Sequence, residues 1–239
     1  MATTRVQPRC FADPDELTAA LAGRLEGALG AASANETVAI MLSGGNTPLP
    51  AYRAVAARRP RISSGVTVFY SDDRYVPSSS EASNYHQTQS LLDALGLSAE
   101  RVLRVRTELP LEQAADDYDR RLAELIGRGA RFGLGLLGLG ADGHTASLFC
   151  AQDLERAQGH RAIAVHRPDG RDGVSVTPEV LARVGELVFV VAGAEKRRAL
   201  AAFLGQSPSL TAWQAVRGCS RVEIWADRAA WPPDVALPP

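Results

Sequence analysis

The segment GLGADGHTAS, from Gly138 to Ser147, contains two overlapping patterns that could each carry chemistry. Its glycines spell G-x-G-x-x-G, which at a helix start lets a backbone close around a dinucleotide pyrophosphate. Its reactive side chains, Asp142 and His144, lie two positions apart on a tight glycine loop, which suits acid–base chemistry on a small substrate.

The residues around these glycines favour the acid–base interpretation. A dinucleotide fingerprint normally has an acidic residue about 20 positions further on, and it avoids a charge that faces the pyrophosphate. Here Asp142 would place a carboxylate in that space, and no acidic residue ends a clear following strand at the required spacing. We therefore predict that His144 and Asp142 are catalytic.

A second loop, SGGNTP, follows an apolar run and precedes a helical pattern that Pro48 can start. Exposed backbone N–H groups and a helix dipole make such a loop an anion site, most simply for a phosphate. The loop lacks the lysine of a Walker motif, so a nucleoside triphosphate is not implied. The predicted binding residues are Ser43, Gly44, Gly45, Asn46 and Thr47.

Two more loops carry charge after apolar runs. SDDRYVP contains Asp72, Asp73 and Arg74, and AGAEKRR contains Lys196, the only lysine among 26 basic residues. Three successive cations where a helix opens oppose the helix dipole, and a bound anion would remove that conflict. We predict that Asp72, Arg74 and Lys196 contact the ligand.

Alternating apolar runs and helical patterns must position these loops, and they predict an α/β fold. We expect one domain, residues 1–239, with an open, mostly parallel twisted sheet of Rossmann-like type and helices on both faces. Asp13 should cap the first helix, because Pro14 and early acidic residues follow it. Strands are predicted at 37–43, 66–72, 132–140, 186–193 and 221–227, and further helices at 48–57, 83–95, 111–126, 178–184 and 194–204. Ligands of such sheets bind beyond the carboxyl ends of the strands, where all four loops fall.

Composition narrows the class of function. The 239 residues carry 26 basic and 27 acidic side chains, with the basic ones scattered, so we expect no nucleic-acid partner. No segment reaches the roughly 18 consecutive apolar residues that span a bilayer, and no secretory leader is visible, so we expect a cytoplasmic protein without a membrane partner. The three cysteines and four histidines show no ligand spacing, so no metal or structural disulfide is predicted.

The four loops together resemble the 6-phosphogluconolactonases, because LSGGNTP, SDDRYVPSSSEASNYHQTQSLL, GLGADGHTASLF and VAGAEKRRAL occur in that family's order and spacing. That family is similar in fold to the glucosamine-6-phosphate isomerases. After the histidine the isomerases continue into an Asn-Glu-Pro-type segment, whereas this chain has ASLF, which favours the lactonase branch.

The resemblance implies hydrolysis of 6-phosphogluconolactone to 6-phosphogluconate in the oxidative pentose phosphate pathway, without a cofactor. His144 would be the general base and Asp142 would set its tautomer or position. The SGGNTP loop, Arg74 and Lys196 would hold the phosphate, and Asp72 would accept hydrogen bonds from sugar hydroxyls. The chain would act as a monomer or weak homo-oligomer. The alternatives are an amino-sugar-phosphate isomerase (deaminase) and a non-catalytic sugar-phosphate-binding module.

The chain departs from the family pattern at four positions. Asp73 replaces a usual Glu, Asn46 a commoner Ser, and Cys150 a frequent Pro. The larger departure is Gly173, which stands where many relatives carry an arginine that helps bind the phosphate. Arg167 or Arg171 could substitute from nearby.

Overall fold

The main sheet has seven parallel strands in the order β1-β10-β9-β6-β2-β3-β5, in a computed structural model that describes residues 4–31 and 36–238. This confirms the predicted fold class. The strands of this sheet are β1 (Arg5–Phe11), β2 (Val38–Leu42), β3 (Val66–Tyr70), β5 (Val102–Leu103), β6 (Arg131–Gly138), β9 (Glu186–Val191) and β10 (Arg221–Asp227).

Two hydrophobic cores cover the two faces of this sheet. Along β2 the side chains alternate, so that Ala39 and Met41 join one core while Val38, Ile40 and Leu42 join the other. Every residue of β2 is buried, as expected of a parallel strand covered on both sides. The helices are α1 (Pro14–Gly30), α2 (Leu49–Arg58), α3 (Asn84–Ala94), α4 (Leu111–Gly127), α5 (Ala151–Arg156), α6 (Pro178–Leu181), α7 (Arg197–Leu204) and α8 (Thr211–Val216).

Helix starts follow local chemistry. The Asp13 carboxylate accepts hydrogen bonds from the backbone N–H groups of Asp15 and Glu16, so it caps α1 as predicted. The predicted helix at 178–184 is shorter than expected, because α6 ends at Leu181. The predicted helix at 194–204 begins with a 3₁₀ turn, Ala194–Lys196, before α7.

A second sheet was not predicted. It contains β4 (Asp72–Arg74), β7 (Ala162–His166) and β8 (Asp172–Val176), paired antiparallel in the order β4-β8-β7. The prediction that SDDRYVP is a loop is therefore wrong for residues 72–74. The chain leaves the parallel sheet after Tyr70 and pairs at once with β8, with Asp73 opposite Val174.

The strand order reverses beside β2. From β2 the chain moves outward through β3 and β5, then returns to place β6 on the opposite side of β2. Loops that follow β2 and β6 therefore diverge and leave a crevice at their carboxyl ends, the usual ligand site of such sheets. Among the described residues, no helix combines the length and apolarity needed to cross a membrane.

Candidate active site

A cleft of about 350 Å³ opens at this reversal of strand order. All four charged or glycine-rich loops contribute to its walls. The lining includes Ser43–Pro48, Ser71, Asp72, Arg74, Asn84, Gly138–Gly140, His144, Ala146, Arg167, Val190, Ala192, Glu195 and Lys196. Three of these side chains are cationic and two are carboxylates, so the cleft is suited to an anionic ligand.

Asp142 and His144 form a contact pair at the mouth of this cleft. The Nδ1 atom of His144 lies 2.5 Å from Oδ1 of Asp142, and the same oxygen accepts the backbone N–H of His144 at 3.3 Å. The ring of His144 also packs on Phe149, with 4.4 Å between ring centroids. The imidazole is 26% exposed and the carboxylate 57% exposed, so both reach solvent.

The structure gives the glycines of the G-x-G-x-x-G motif a role beside Asp142 and His144. A Cβ atom at Gly140 would lie 2.1 Å from Nδ1 of His144 and 2.3 Å from Oδ1 of Asp142, so a side chain there would displace the pair. Gly143 has φ of 89°, in the left-handed region that glycine favours. The loop glycines therefore serve the Asp142–His144 pair, which supports the acid–base interpretation over the dinucleotide one.

The hydrogen bond fixes which nitrogen is free for chemistry. Burial alone would raise the pKa of Asp142, but its hydrogen bonds and charge interaction with His144 hold that pKa below its ordinary value. An ionised carboxylate only accepts hydrogen bonds, so Nδ1 of His144 carries the proton in the neutral ring. Nε2 then keeps a lone pair and can take a proton from a ligand or water.

The loop after β2 provides an anion-binding geometry. Gly45 has φ of 98°, and the N-terminus of α2 follows directly after Thr47 and Pro48. No side chain caps this helix, and because Pro48 and Pro50 have no N–H group, the N–H groups of Leu49 and Ala51 are the donors at its start. The buried hydroxyl of Ser43 has no hydrogen-bond partner among the described residues, so it is free to bind a ligand.

Arg74 is held at the cleft wall by α3. Its Nη1 donates to the carbonyl of Ala82 at 3.3 Å and to Oδ1 of Asn84, while its buried Nε has no partner within the described chain. Asn84 also packs against Gly44, where an added Cβ would lie 1.8 Å from Oδ1 of Asn84. Asn84 thus joins the β2 loop to β4, a role that the sequence alone did not reveal.

Asp73 faces away from the cleft and supports α3. Its carboxylate accepts the backbone N–H groups of Arg74, Asn84 and Tyr85 at 2.9, 2.6 and 3.2 Å, and the hydroxyl of Ser83 at 3.0 Å. Burial raises its pKa to about 6 against the lowering effect of these hydrogen bonds. Asp73 therefore positions Asn84 and does not touch a ligand.

Asp72 lies at the cleft floor in a buried polar cluster. Its carboxylate accepts the hydroxyls of Ser71 at 2.8 Å and Ser147 at 2.7 Å. Nη1 of Arg167 donates to Ser147 at 2.7 Å and lies 3.9 Å from the Asp72 carboxylate. The amide of Asn84 also donates to this carboxylate at 3.4 Å, so three internal donors serve Asp72 and its predicted contact with sugar hydroxyls must use a remaining lone pair.

Lys196 reaches the cleft from the 3₁₀ turn before α7. Its backbone N–H donates to the carbonyl of Gly193 at 3.1 Å, whereas its ammonium group makes no hydrogen bond or ion pair with another described residue. Its turn is anchored by the buried Asp227, whose carboxylate oxygens each accept the Gly193 N–H at 3.2 Å. The adjacent Arg197 instead turns outward to the carbonyl of Ala229.

The two candidate arginines near Gly173 are separated by the structure. Arg167 lines the cleft, whereas Arg171 pairs with Asp169 at 2.7 Å and lies outside the cleft lining. Within residues 4–31 and 36–238, no three His, Cys, Asp or Glu side chains cluster as metal ligands.

Comparison with known proteins gives the family. The model for glucosamine-6-phosphate isomerases/6-phosphogluconolactonase matches residues 12–225. A 6-phosphogluconolactonase of Synechocystis is 38% identical over 167 residues, covering 67% of this chain and 69% of its own length. One of Treponema pallidum is 35% identical over 188 residues, covering 74% and 78%. The chain therefore belongs to the glucosamine-6-phosphate isomerase/6-phosphogluconolactonase family.

Solved structures agree with this membership. The 6-phosphogluconolactonase of Thermotoga maritima superposes with a TM-score of 0.78 at 26% identity, covering 94% of this chain and all of its own. A monomeric glucosamine-6-phosphate deaminase superposes with a TM-score of 0.79 at 15% identity, covering 94% and 98%. The deaminase shares the fold alone at that identity.

Proposed function

We propose that this protein is a 6-phosphogluconolactonase that hydrolyses 6-phosphogluconolactone to 6-phosphogluconate. The observation that carries the proposal is the Asp142–His144 pair at a cleft that is also lined by the glycine loop before α2. The named lactonase relatives at 35–38% identity support the same substrate. We take residues 1–239 as one lactonase domain that acts in the cytoplasm as a monomer or weak homo-oligomer.

The chemistry requires one group that moves a proton in both directions. Nε2 of His144 removes a proton from water as the oxygen attacks the lactone carbonyl and forms a tetrahedral intermediate. The intermediate collapses, the ring C–O bond breaks, and the imidazolium returns its proton to the departing ring oxygen. Asp142 holds the ring in the required tautomer and stabilises the transient imidazolium. His144 performs both transfers, so this scheme needs no metal or organic cofactor.

The rest of the cleft holds the substrate. Ser43, Gly44, Gly45, Asn46 and Thr47 bind the 6-phosphate at the N-terminus of α2, and Arg74 and Lys196 add positive charge. Asp72 accepts a sugar hydroxyl through a lone pair that Ser71, Ser147 and Asn84 leave open. Holding the phosphate at one end places the lactone carbonyl near Nε2 of His144.

Acid release from freshly prepared 6-phosphogluconolactone tests the proposal against the spontaneous rate. We expect acceleration by the wild-type protein and a loss of about 100- to 10,000-fold in kcat for His144→Ala, the usual contribution of a positioned general base. Absence of acceleration by the wild type would refute the lactonase assignment. Ammonia release from glucosamine 6-phosphate would instead identify a deaminase, and binding of the phosphate ester without either reaction would identify a sensing module.

A further inference from the structure

Arg167 is a nearly buried cation that has no role in the proposed reaction. Its side chain is 10% exposed and lines the cleft. It follows directly after β7, and its backbone N–H closes the β7–β8 turn on the carbonyl of Arg171 at 2.9 Å. Burying a guanidinium at this depth is costly unless an anion or several acceptors compensate it.

The partners of Arg167 inside the protein are incomplete. Nη1 donates to Ser147, Nε reaches Asp169 only at 3.5 Å, and the Asp72 carboxylate is 3.9 Å from Nη1. No hydrogen bond to a described residue uses Nη2. The guanidinium therefore has donor capacity left over, on a residue that forms part of the cleft wall.

Three neighbours hold this guanidinium in place. Its central carbon lies 5.1 Å from the centroid of Phe149, the same ring that packs on His144. Ser147 fixes Nη1, and the stem passes over Gly173, where an added Cβ would lie 3.6 Å from Cδ of Arg167. At that distance an added Cβ would be in ordinary van der Waals contact with Arg167, so the stem runs along Gly173 towards the cleft.

We propose that Arg167 binds the phosphate group of the substrate, together with Arg74 and Lys196. This inference rests on the proposed function for the identity of the substrate. An unopened sugar-phosphate lactone is anionic only at its phosphate, so the phosphate is the one substrate group that can neutralise a buried cation. A preoriented guanidinium suits phosphate because its planar fork matches two phosphate oxygens.

The experiment compares Arg167→Met with Arg171→Met, because Arg171 lies in the same turn, is 52% exposed and is outside the cleft lining. We expect Arg167→Met to raise KM for 6-phosphogluconolactone about 10- to 150-fold, the value of a charge-assisted contact. The loss for unphosphorylated gluconolactone should be at least tenfold smaller than the loss for 6-phosphogluconolactone in Arg167→Met, because that substrate has no phosphate to lose, and Arg171→Met should leave both activities within about twofold. Arg167→Lys should recover part of the loss.

Direct titration with glucose 6-phosphate and with gluconate separates this inference from the proposed function. Weaker binding of glucose 6-phosphate to Arg167→Met, with gluconate unchanged, would support the phosphate contact even if the wild type hydrolysed no lactone. Equal losses for both lactones would show that Arg167 only holds Phe149 and Asp72, and would overturn the inference. Selective loss of gluconate binding, or no loss for either ligand, would also overturn it.

Discussion

Replacing Asp142 by asparagine and by alanine measures how much of the catalysis depends on its charge. In the structure a single oxygen, Oδ1, accepts both the Nδ1–H of His144 at 2.5 Å and the backbone N–H of His144 at 3.3 Å. The amide oxygen of Asp142→Asn can occupy the same place and accept both bonds. This variant therefore keeps the tautomer of His144 and loses only the negative charge that stabilises the imidazolium.

The size of the loss follows from the two kinds of hydrogen bond. A charge-assisted bond contributes about 1.5–3 kcal/mol and a neutral one about 0.5–1.5 kcal/mol. Asp142 is 57% exposed, so solvent screening places the difference near the lower end, about 1 kcal/mol. This corresponds to a kcat reduced about 5-fold for Asp142→Asn. Asp142→Ala removes both bonds and the orientation of the ring, so its kcat should fall further, by about 100-fold or more.

Steady-state hydrolysis of 6-phosphogluconolactone, corrected for the spontaneous rate, provides the comparison. Thermal unfolding and glucose 6-phosphate binding serve as controls that the loop and the phosphate site are intact. A loss for Asp142→Asn equal to or greater than that for Asp142→Ala would mean that the amide donates to Nδ1, which would refute the orientation argued from Oδ1. Unchanged kcat in both variants would reduce Asp142 to a loop-forming residue.

Two further predictions concern binding and stability. Lys196→Ala should weaken 6-phosphogluconolactone binding about 10- to 150-fold with little effect on gluconolactone, measured as KM, since a charge-assisted phosphate contact has this value; equal effects on both lactones would contradict a phosphate contact. Asp73 has its pKa raised to about 6 by burial, so its neutral form favours folding and its contribution declines as pH rises through 6. In urea unfolding, the free energy of unfolding of Asp73→Asn should therefore rise relative to that of the wild type by up to about 3 kcal/mol between pH 4 and pH 7. A constant difference between the two proteins, or a change of the opposite sign, would show that the wild-type carboxylate is ionised throughout.

The predictable part of the fold is the part with strong periodicity. Five largely buried strands and the helix that Asp13 caps were evident because apolar runs and capping residues are local signals. The edge strand β1, RVQPRCF, was missed because its polar residues and Pro8 resemble a loop until pairing with β10 supplies its partner. The strands β7 and β8 were missed because each has only five residues, and their pairing with each other and with β4 is not local in the sequence.

The sequence likewise predicted some residues of the candidate site and missed others. Types and spacing were sufficient to select His144 with Asp142, the β2 loop and Lys196, which the structure brings to one cleft or its rim. The sequence favoured Asp72 over Asp73 as the ligand contact but gave Asp73 no role, because β4, on which adjacent residues point to opposite sides, was unrecognised. Nor could it place Ser147 and Arg167 beside Asp72, since those contacts arise from tertiary packing between separate segments.

The pairing of β2 with β6 also bears on how the protein folds. Val38 lies opposite Arg131, so the two strands that carry the β2 loop and the His144 loop are far apart in the sequence. Closing such a loop costs entropy before the contacts compensate, and non-local parallel pairing of this kind slows folding. We therefore expect the cleft to form late in folding. Recovery of catalytic activity during refolding should consequently lag behind the recovery of helical signal.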